Sequence, residues 1–353
     1  MLGPRERPWW AARLGPSAAF LIAAFRVAAS VALTFVGLLL VTFLIGRVVP
    51  VDPVLAAVGD RAPAEVYERV RIELGLNLPL HEQFRIYLIK VLHGDLGRSV
   101  LTANPVLADV RRVFPATLEL ATLGTLVGVI LGIPAGVVAA TRQGRFIDHA
   151  VRVIGLLGYS VPVFWLGLMG LLLFYAKLGW AAGPGRLDVA FEDLVTPATG
   201  VILLDSAFQG EWGVFRNALA HLALPAAVLG SFSLAYISRM TRSFMLEQLG
   251  QEYVTTARVK GLSEREVIWR HALGNVMVPL ITVVALSYAN LLEGSVLTET
   301  VFAWPGLGMY ITNSLLSADM NAVLGGTIVV GTVFIALNLL SDLLYRAADP
   351  RAR

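Results

Sequence analysis

The feature that most constrains this chain is a series of uncharged apolar runs. Each is about 20 residues long, which lets a helix cross roughly 30 Å of hydrocarbon at about 1.5 Å per residue. The first, Val27 to Gly46, carries no charged residue, and further runs cover about 113–140, 153–178, 218–237, 272–292 and 320–341. In lipid a spanning segment of this length satisfies its backbone groups as a helix. A composition of 56% apolar and 15% charged residues agrees, being too apolar for an ordinary soluble domain. The expectation is an all-α polytopic membrane protein with six transmembrane helices. Pro134 and Pro162 fall inside the second and third runs, where proline frees backbone groups and bends a helix.

The basic residues orient these spans. Arg142, Arg145 and Arg152 face only Asp148 in one short connection. In another, Arg239, Arg242, Arg258, Lys260, Arg265 and Arg270 outnumber the acids, whereas 294–319 holds no Lys or Arg. Basic short loops stay in the cytoplasm, so both termini are expected there. Residues 1–25 form an N-terminal extension, with Phe20 to Phe25 along the interface. Residues 26–47 form the first transmembrane helix, too long and too well followed by other spans to be a cleaved signal. The charged segment 48–112, cut by Pro53, Pro63, Pro79 and Pro105, is extracytoplasmic. Residues 113–346 make a transmembrane core with an external loop at about 179–217 and a cytoplasmic segment at about 239–271, and 347–353 form a cytoplasmic tail.

Several function classes fall away. The absence of cysteine removes thiolate metal sites, disulfides and cysteine nucleophiles. His81, His93, His149, His221 and His271 show no zinc spacing, and neither a nucleophile elbow nor a Gly-x-x-x-x-Gly-Lys-Ser/Thr phosphate loop occurs. No catalysis, metal or ATP binding is expected of this chain. The net charge of +3 follows from orientation in lipid rather than from nucleic acid. A secondary transporter or channel remains a competing class, but such carriers bury ionisable groups near mid-membrane. Here Glu119, Glu293, His221 and Asp342 fall near the ends of spans, as anchors or packing groups. Trp304-Pro305-Gly306 is expected to be an interfacial re-entrant turn, since Trp favours the headgroup level.

One cytoplasmic feature is more specific. Arg239 to Arg270 is longer than a connection requires and reads as two helices around a turn. Gly261 stands where a helix C-terminus calls for a left-handed residue. Ser263 then supplies an N-cap, Glu266 three residues on completes a capping box, and Leu262 with Val267 occupies the staple positions. On these residues the turn is a stiff linker, a segment resting on headgroups, or a knob for a partner protein.

The run QEYVTTARVKGLSEREVIWRHALGNVMVPLIT, residues 251 to 282, closely resembles the coupling segment of binding-protein-dependent ABC importer permeases, in particular the peptide, oligopeptide and nickel group. Ala257, Gly261 and Leu273 match that family's broad pattern, while Thr256 to Leu262 and Arg270 to Leu273 match its peptide subgroup. Thr255 replaces the usual acid and Gly274 the usual proline. GDLGRSV at 94–100, FPATLELA at 114–121, VPVFWLGL at 161–168 and VFAWPGLG at 301–308 are similar to further landmarks in the same order. The resemblance implies the type I ABC importer permease fold with a cytoplasmic coupling helix, in a bacterial cytoplasmic (inner) membrane, closest to the first permease of a heterodimeric pair. It implies transport of peptides or a similar small solute through a path shared with a second homologous permease. One or two ABC ATPase subunits would bind ATP and Mg, and an extracytoplasmic binding protein would deliver the solute. By the same resemblance Thr255, Thr256, Ala257, Gly261 and Leu262, with the Ser263–Glu266 cap, shape the ATPase-coupling turn. Glu252, Arg258 and Lys260 are its candidate polar contacts, a solvated face being the plainer reading of these three charges. No solute-contacting residue follows from the sequence.

Overall fold

The computed structural model describes residues 16–48, 53–59, 62–73 and 75–348. Expectations for residues 1–15, which include Arg5, Arg7 and Arg13, and for the tail from 349, with Arg351 and Arg353, lie outside the described residues, as do the side chains of Phe20, Asp342 and Arg346. The helices are α1 (Pro16–Val48), α2 (Pro53–Val58), α3 (Ala64–Glu73), α4 (Leu80–Leu92), α5 (Val106–Thr141), α6 (Phe146–Ser160) and α7 (Val163–Gly170), which continues as a π-helical turn, Leu171–Lys177. After them come α8 (Ile202–Gln209), α9 (Trp212–Leu249), α10 (Glu252–Val259), α11 (Glu264–Glu266), α12 (Leu273–Val301), α13 (Leu307–Leu316) and α14 (Met320–Ala348). A second π-helical stretch, Val267–Ala272, joins α11 to α12. No strand occurs among the described residues.

Five of these stretches are long and apolar enough to cross a bilayer: the α1, α5, α9 and α14 helices and the continuous run from α11 to the end of α12. The sixth expected span, 153–178, takes another form. α6 and α7 meet at 98°, so the segment is a corner rather than one bent rod. Proline is the cause: Pro162 offers no N–H, and its ring pushes Val161 out of the helical region to φ −81° and ψ 128°. Pro115 and Pro134 in α5, Pro225 in α9 and Pro279 in α12 are instead carried within continuous helices.

The bundle is built on the pair α5 and α9. Gly124, Gly128, Gly132 and Gly136 fall four residues apart on one face of α5, and α9 lies directly on them. A methyl group on Gly136 would meet the Ser238 carbonyl at 2.6 Å, and one on Gly128 would overlap Ser233 outright. From the other side, one on Gly230 would reach Val127 at 2.8 Å. Between apolar helices in lipid this close backbone approach supplies attraction that burial of oily side chains does not. α12 completes the core: Leu120, Leu222, Leu229 and Leu291 interlock in one cluster, and Val137, Ile237, Met245, Val276 and Leu280 in a second.

At one end of the bundle the connections are themselves folded. α4 packs on α1 through Phe43, Phe84 and Tyr87, whose hydroxyl lies 2.9 Å from that of Thr42. The 94–105 loop is anchored by Asp319, which accepts from Ser99 Oγ (2.6 Å) and from the Leu101 and Ala322 N–H groups. Asp109 gathers Thr102, Asn104 and Arg112. Burial and the neighbouring Asp109 and Asp319 carboxylates push the Tyr310 phenol up to about 12. The polar stretch expected at 179–217 is shorter by six residues, because α9 starts at Trp212. Its Arg186 donates from Nε to Glu119 at 3.1 Å and lies over the Trp304 ring. Glu119 also accepts from the Leu203 N–H, so it is a packing group, as expected.

The chain turns at Trp304, and α13 comes back between α12 and α14. The Trp304 indole is 0% exposed, packed within the protein, and donates Nε1–H to the Ala116 carbonyl at 2.9 Å. Beneath it lies Glu299, also 0% exposed, which takes hydrogen bonds from Thr117 (2.7 Å), Ser295 (2.9 Å) and the Met309 N–H (2.9 Å). An indole and a carboxylate whose polar atoms are satisfied this fully can be core groups.

Candidate functional site

At the opposite end of the bundle the chain leaves α9, turns and enters α12. The expected segment 239–271 begins inside a helix, since α9 runs on to Leu249. Gly250 and Gln251 break it, and α10 follows with Glu252 in its first turn, where an acid complements the exposed N–H groups. α10 ends in a complete Schellman motif. The Gly261 N–H donates to the Arg258 carbonyl (2.9 Å) and the Leu262 N–H to that of Ala257 (3.3 Å). Gly261 makes this closure possible at φ +80°, a region that costs a side-chain-bearing residue about 1–2 kcal/mol.

Ser263 then opens α11, its Oγ accepting the Glu266 N–H at 3.3 Å. The other half of the expected capping box differs: the Glu266 carboxylate accepts from the Ser263 hydroxyl (3.3 Å). The staple pair is in place. Leu262 packs with Val267 on Val254 and Ala257, both buried, with Tyr253 and Leu249 at the margin. The turn thus has its own small core.

The outer surface of the turn separates the candidate residues. Thr255, Thr256, Arg258, Lys260, Gly261, Ser263 and Glu266 are exposed, as is Glu252, while Ala257 faces inward and Leu262 is half-buried. Thr256 spends its hydroxyl on the Glu252 carbonyl (3.0 Å). Arg258 is engaged within the turn, its Nε donating to Glu264 at 2.8 Å. An exposed pair of this kind contributes about 0–1 kcal/mol. The sequence reading missed two members: Glu264, the partner of Arg258, and Val259, an apolar residue 83% exposed at the tip between two cations. An apolar side chain flanked by charges at the end of an otherwise polar helix is the signal that could have found it.

Two connections tie the turn to the bundle. The π-helical stretch buries Val267 and Ala272, the latter in the cluster with Met245 of α9, so the turn and α12 form one continuous run. One helical turn above, Arg242 of α9 forms a two-pronged pair with Asp148 at the start of α6 (2.6 and 2.9 Å). Asp148 also accepts the Gly144 N–H. No cluster of three or more His, Asp or Glu residues arranged for a metal ion occurs among the described residues.

Comparison with known proteins agrees with this architecture. Residues 132–353 match the family described as binding-protein-dependent transport system inner membrane component, and residues 19–121 match its N-terminal membrane component. The chain is 44% identical over 319 residues to a probable D,D-dipeptide transport system permease protein, DdpB, of Escherichia coli K12, covering 90% of this chain and 94% of that one. It is 44% identical to the dipeptide transport system permease protein DppB of the same strain, covering 91% and 95%. It is 42% identical to the di/tripeptide permease protein DppB of Pseudomonas aeruginosa UCBPP-PA14, again covering 91% and 95%. These matches leave the ion-driven carrier without support. The chain belongs to the binding-protein-dependent transport system inner membrane component family, and is a multi-pass, non-enzymatic permease subunit of an ABC importer.

Proposed function

We propose that α10, the Gly261 turn and α11 form the coupling surface on which the importer's ATPase subunits act, and that the solute carried is a short peptide. One observation carries the first part. The turn is a rigid knob with its own apolar core, and it runs without a break through the π-helical stretch into α12, so a push on its tip is delivered to a spanning helix. Val259, Lys260 and Thr255 are the exposed groups offered to a groove, with Glu252 and Arg258 at its rim. A loose linker would not need the Schellman closure, and a segment lying on headgroups would turn an apolar face outward, whereas this one buries its apolar face on itself.

In this reading ATP and Mg are held by one or two ATPase chains, and a second homologous permease supplies the rest of the path. An extracytoplasmic binding protein delivers the solute at the α13 end. The coupling turn and both termini then face the cytoplasm, as the arginine bias requires. The peptide assignment follows the names of the relatives. The test is replacement of Gly261 by Val in the assembled importer. The ATPases should co-purify poorly and binding-protein-stimulated ATP hydrolysis should fall about tenfold, while the permease pair stays monodisperse. Undiminished ATPase capture together with unchanged stimulated hydrolysis would refute the coupling assignment.

A further inference from the structure

α12 has two unlike faces. One is buried and carries Ser295, Thr298 and Glu299 against its neighbours. The other leaves Asn290, Glu293, Gly294, Leu297 and Thr300 exposed. Glu293 lies eight residues before the helix ends at Val301, so its Cα is about 12 Å along the axis from that end at about 1.5 Å per residue. The buried carboxylates of the bundle helices α5, α6 and α12 are satisfied: Asp109 by Thr102 and Asn104, Glu119 by Arg186 and Leu203, Asp148 by Arg242 and Gly144, Glu299 by three donors. Glu293 has no hydrogen-bond or ion-pair partner among the described residues. An amide and a carboxylate one turn apart on a lipid-facing helix are costly, which assigns this face to water or to a polar cargo.

Beside Glu293 a cavity of about 170 Å³ opens between α5, α12, α13 and α14. Its walls are apolar, including Phe114, Val296, Ile311, Val333 and Phe334. The hydroxyls of the two threonines in the lining are already used, Thr117 toward Glu299 and Thr327 toward the Val323 carbonyl. Glu293 is therefore the unspent polar side chain of an otherwise oily slot. Its volume is close to that of a cavity that takes up one benzene ring, about 150 Å³. A carboxylate beside a slot of that size fits a cation with one apolar group on the adjacent carbon, the chemistry of a peptide's first residue.

We propose that Glu293 is a specificity-determining residue of the translocation path, receiving the α-ammonium group of the transported peptide while the first side chain enters the slot between α12, α13 and α14. The inference rests on the peptide reading above. It is tested in proteoliposomes holding the whole importer, with the binding protein saturated by radiolabelled Leu-Ala so that capture is not limiting. Glu293→Gln should lower uptake about tenfold and Glu293→Asp less than threefold, with the second permease and ATPases still co-purifying. In the wild type, the same dipeptide carrying a diazirine leucine should label residues 289–297 or 330–337 during turnover. Unchanged uptake by Glu293→Gln, labelling elsewhere, or loss of the second permease from that variant would each overturn the assignment, the last by making Glu293 a subunit contact. If the wild type imports another solute and no dipeptide, the peptide reading fails and this inference with it.

Discussion

Asp205, at the start of α8, is 1% exposed, yet its carboxylate titrates below the ordinary range. Burial alone would push it up. The Thr199 N–H and hydroxyl and the N–H groups of Gly200 and Ala198 outweigh burial by donating to the ionised form. A depressed folded value means that the stabilisation is fully present above the unfolded value of about 3.9 and is lost as pH falls through the folded one. The 196–205 loop should keep its amide-exchange protection at pH 5 and begin to lose it as pH falls below about 4. Asp205→Asn should cost about 1–3 kcal/mol, because several buried donors then share one acceptor, and a thermal melt in detergent checks this. Glu299→Ala removes the acceptor for Thr117, Ser295 and the Met309 N–H together, and a drop of similar size or larger is expected in the same melt. The Glu299 network was not legible in the sequence, nor was the Arg186–Glu119 pair. Glu299 is 182 residues from Thr117 and Arg186 is 67 from Glu119, and no local pattern encodes a pairing that only the packed bundle creates.

At the scale of helices, the turn was read well and the spans less so, for one physical reason. Gly261, Leu262, Ser263 and Val267 act within a few residues of one another, so caps and staples can be read directly from spacing. Hydropathy marks where hydrocarbon begins but not where a helix stops. α9 therefore extends beyond its apolar run at both ends, and the Pro162 corner looked like a bend. The glycine ladder of α5 was present in the sequence but informative only once α9 was seen lying on it. Gly128→Leu or Gly136→Val should force the two helices apart at about 1–3 kcal/mol each and shift the detergent-solubilised permease toward aggregate in size-exclusion profiles. Gly274→Ala is the contrasting case: a methyl group there meets nothing within 4 Å, and helix propensity favours it by up to about 1 kcal/mol, so folding and transport should be retained.

For the whole molecule, the orientation proposed from the charge bias can be checked directly. It contains no cysteine, so single cysteines report position without background. Val259→Cys should react with a membrane-impermeant maleimide only in inside-out vesicles and should be shielded when the ATPases are bound, whereas Val189→Cys should react only from the opposite side. Both residues are more than four-fifths exposed. Reaction of both from the same side would refute the orientation. α9 gives that orientation a mechanical meaning. Its 38 residues make a rod of about 57 Å, longer than the hydrocarbon is thick. One end holds His221 against Gly183 and Asp188, and the other holds Met245 against Ala272 and Val276. Between them the rod is clamped to α5 where Gly128 and Gly136 leave no slack. The glycine seam runs along α9 from Gly230 to Arg242, so α5 splints that length of the rod, and any tilt of the Met245 end is expected to carry α5 with it.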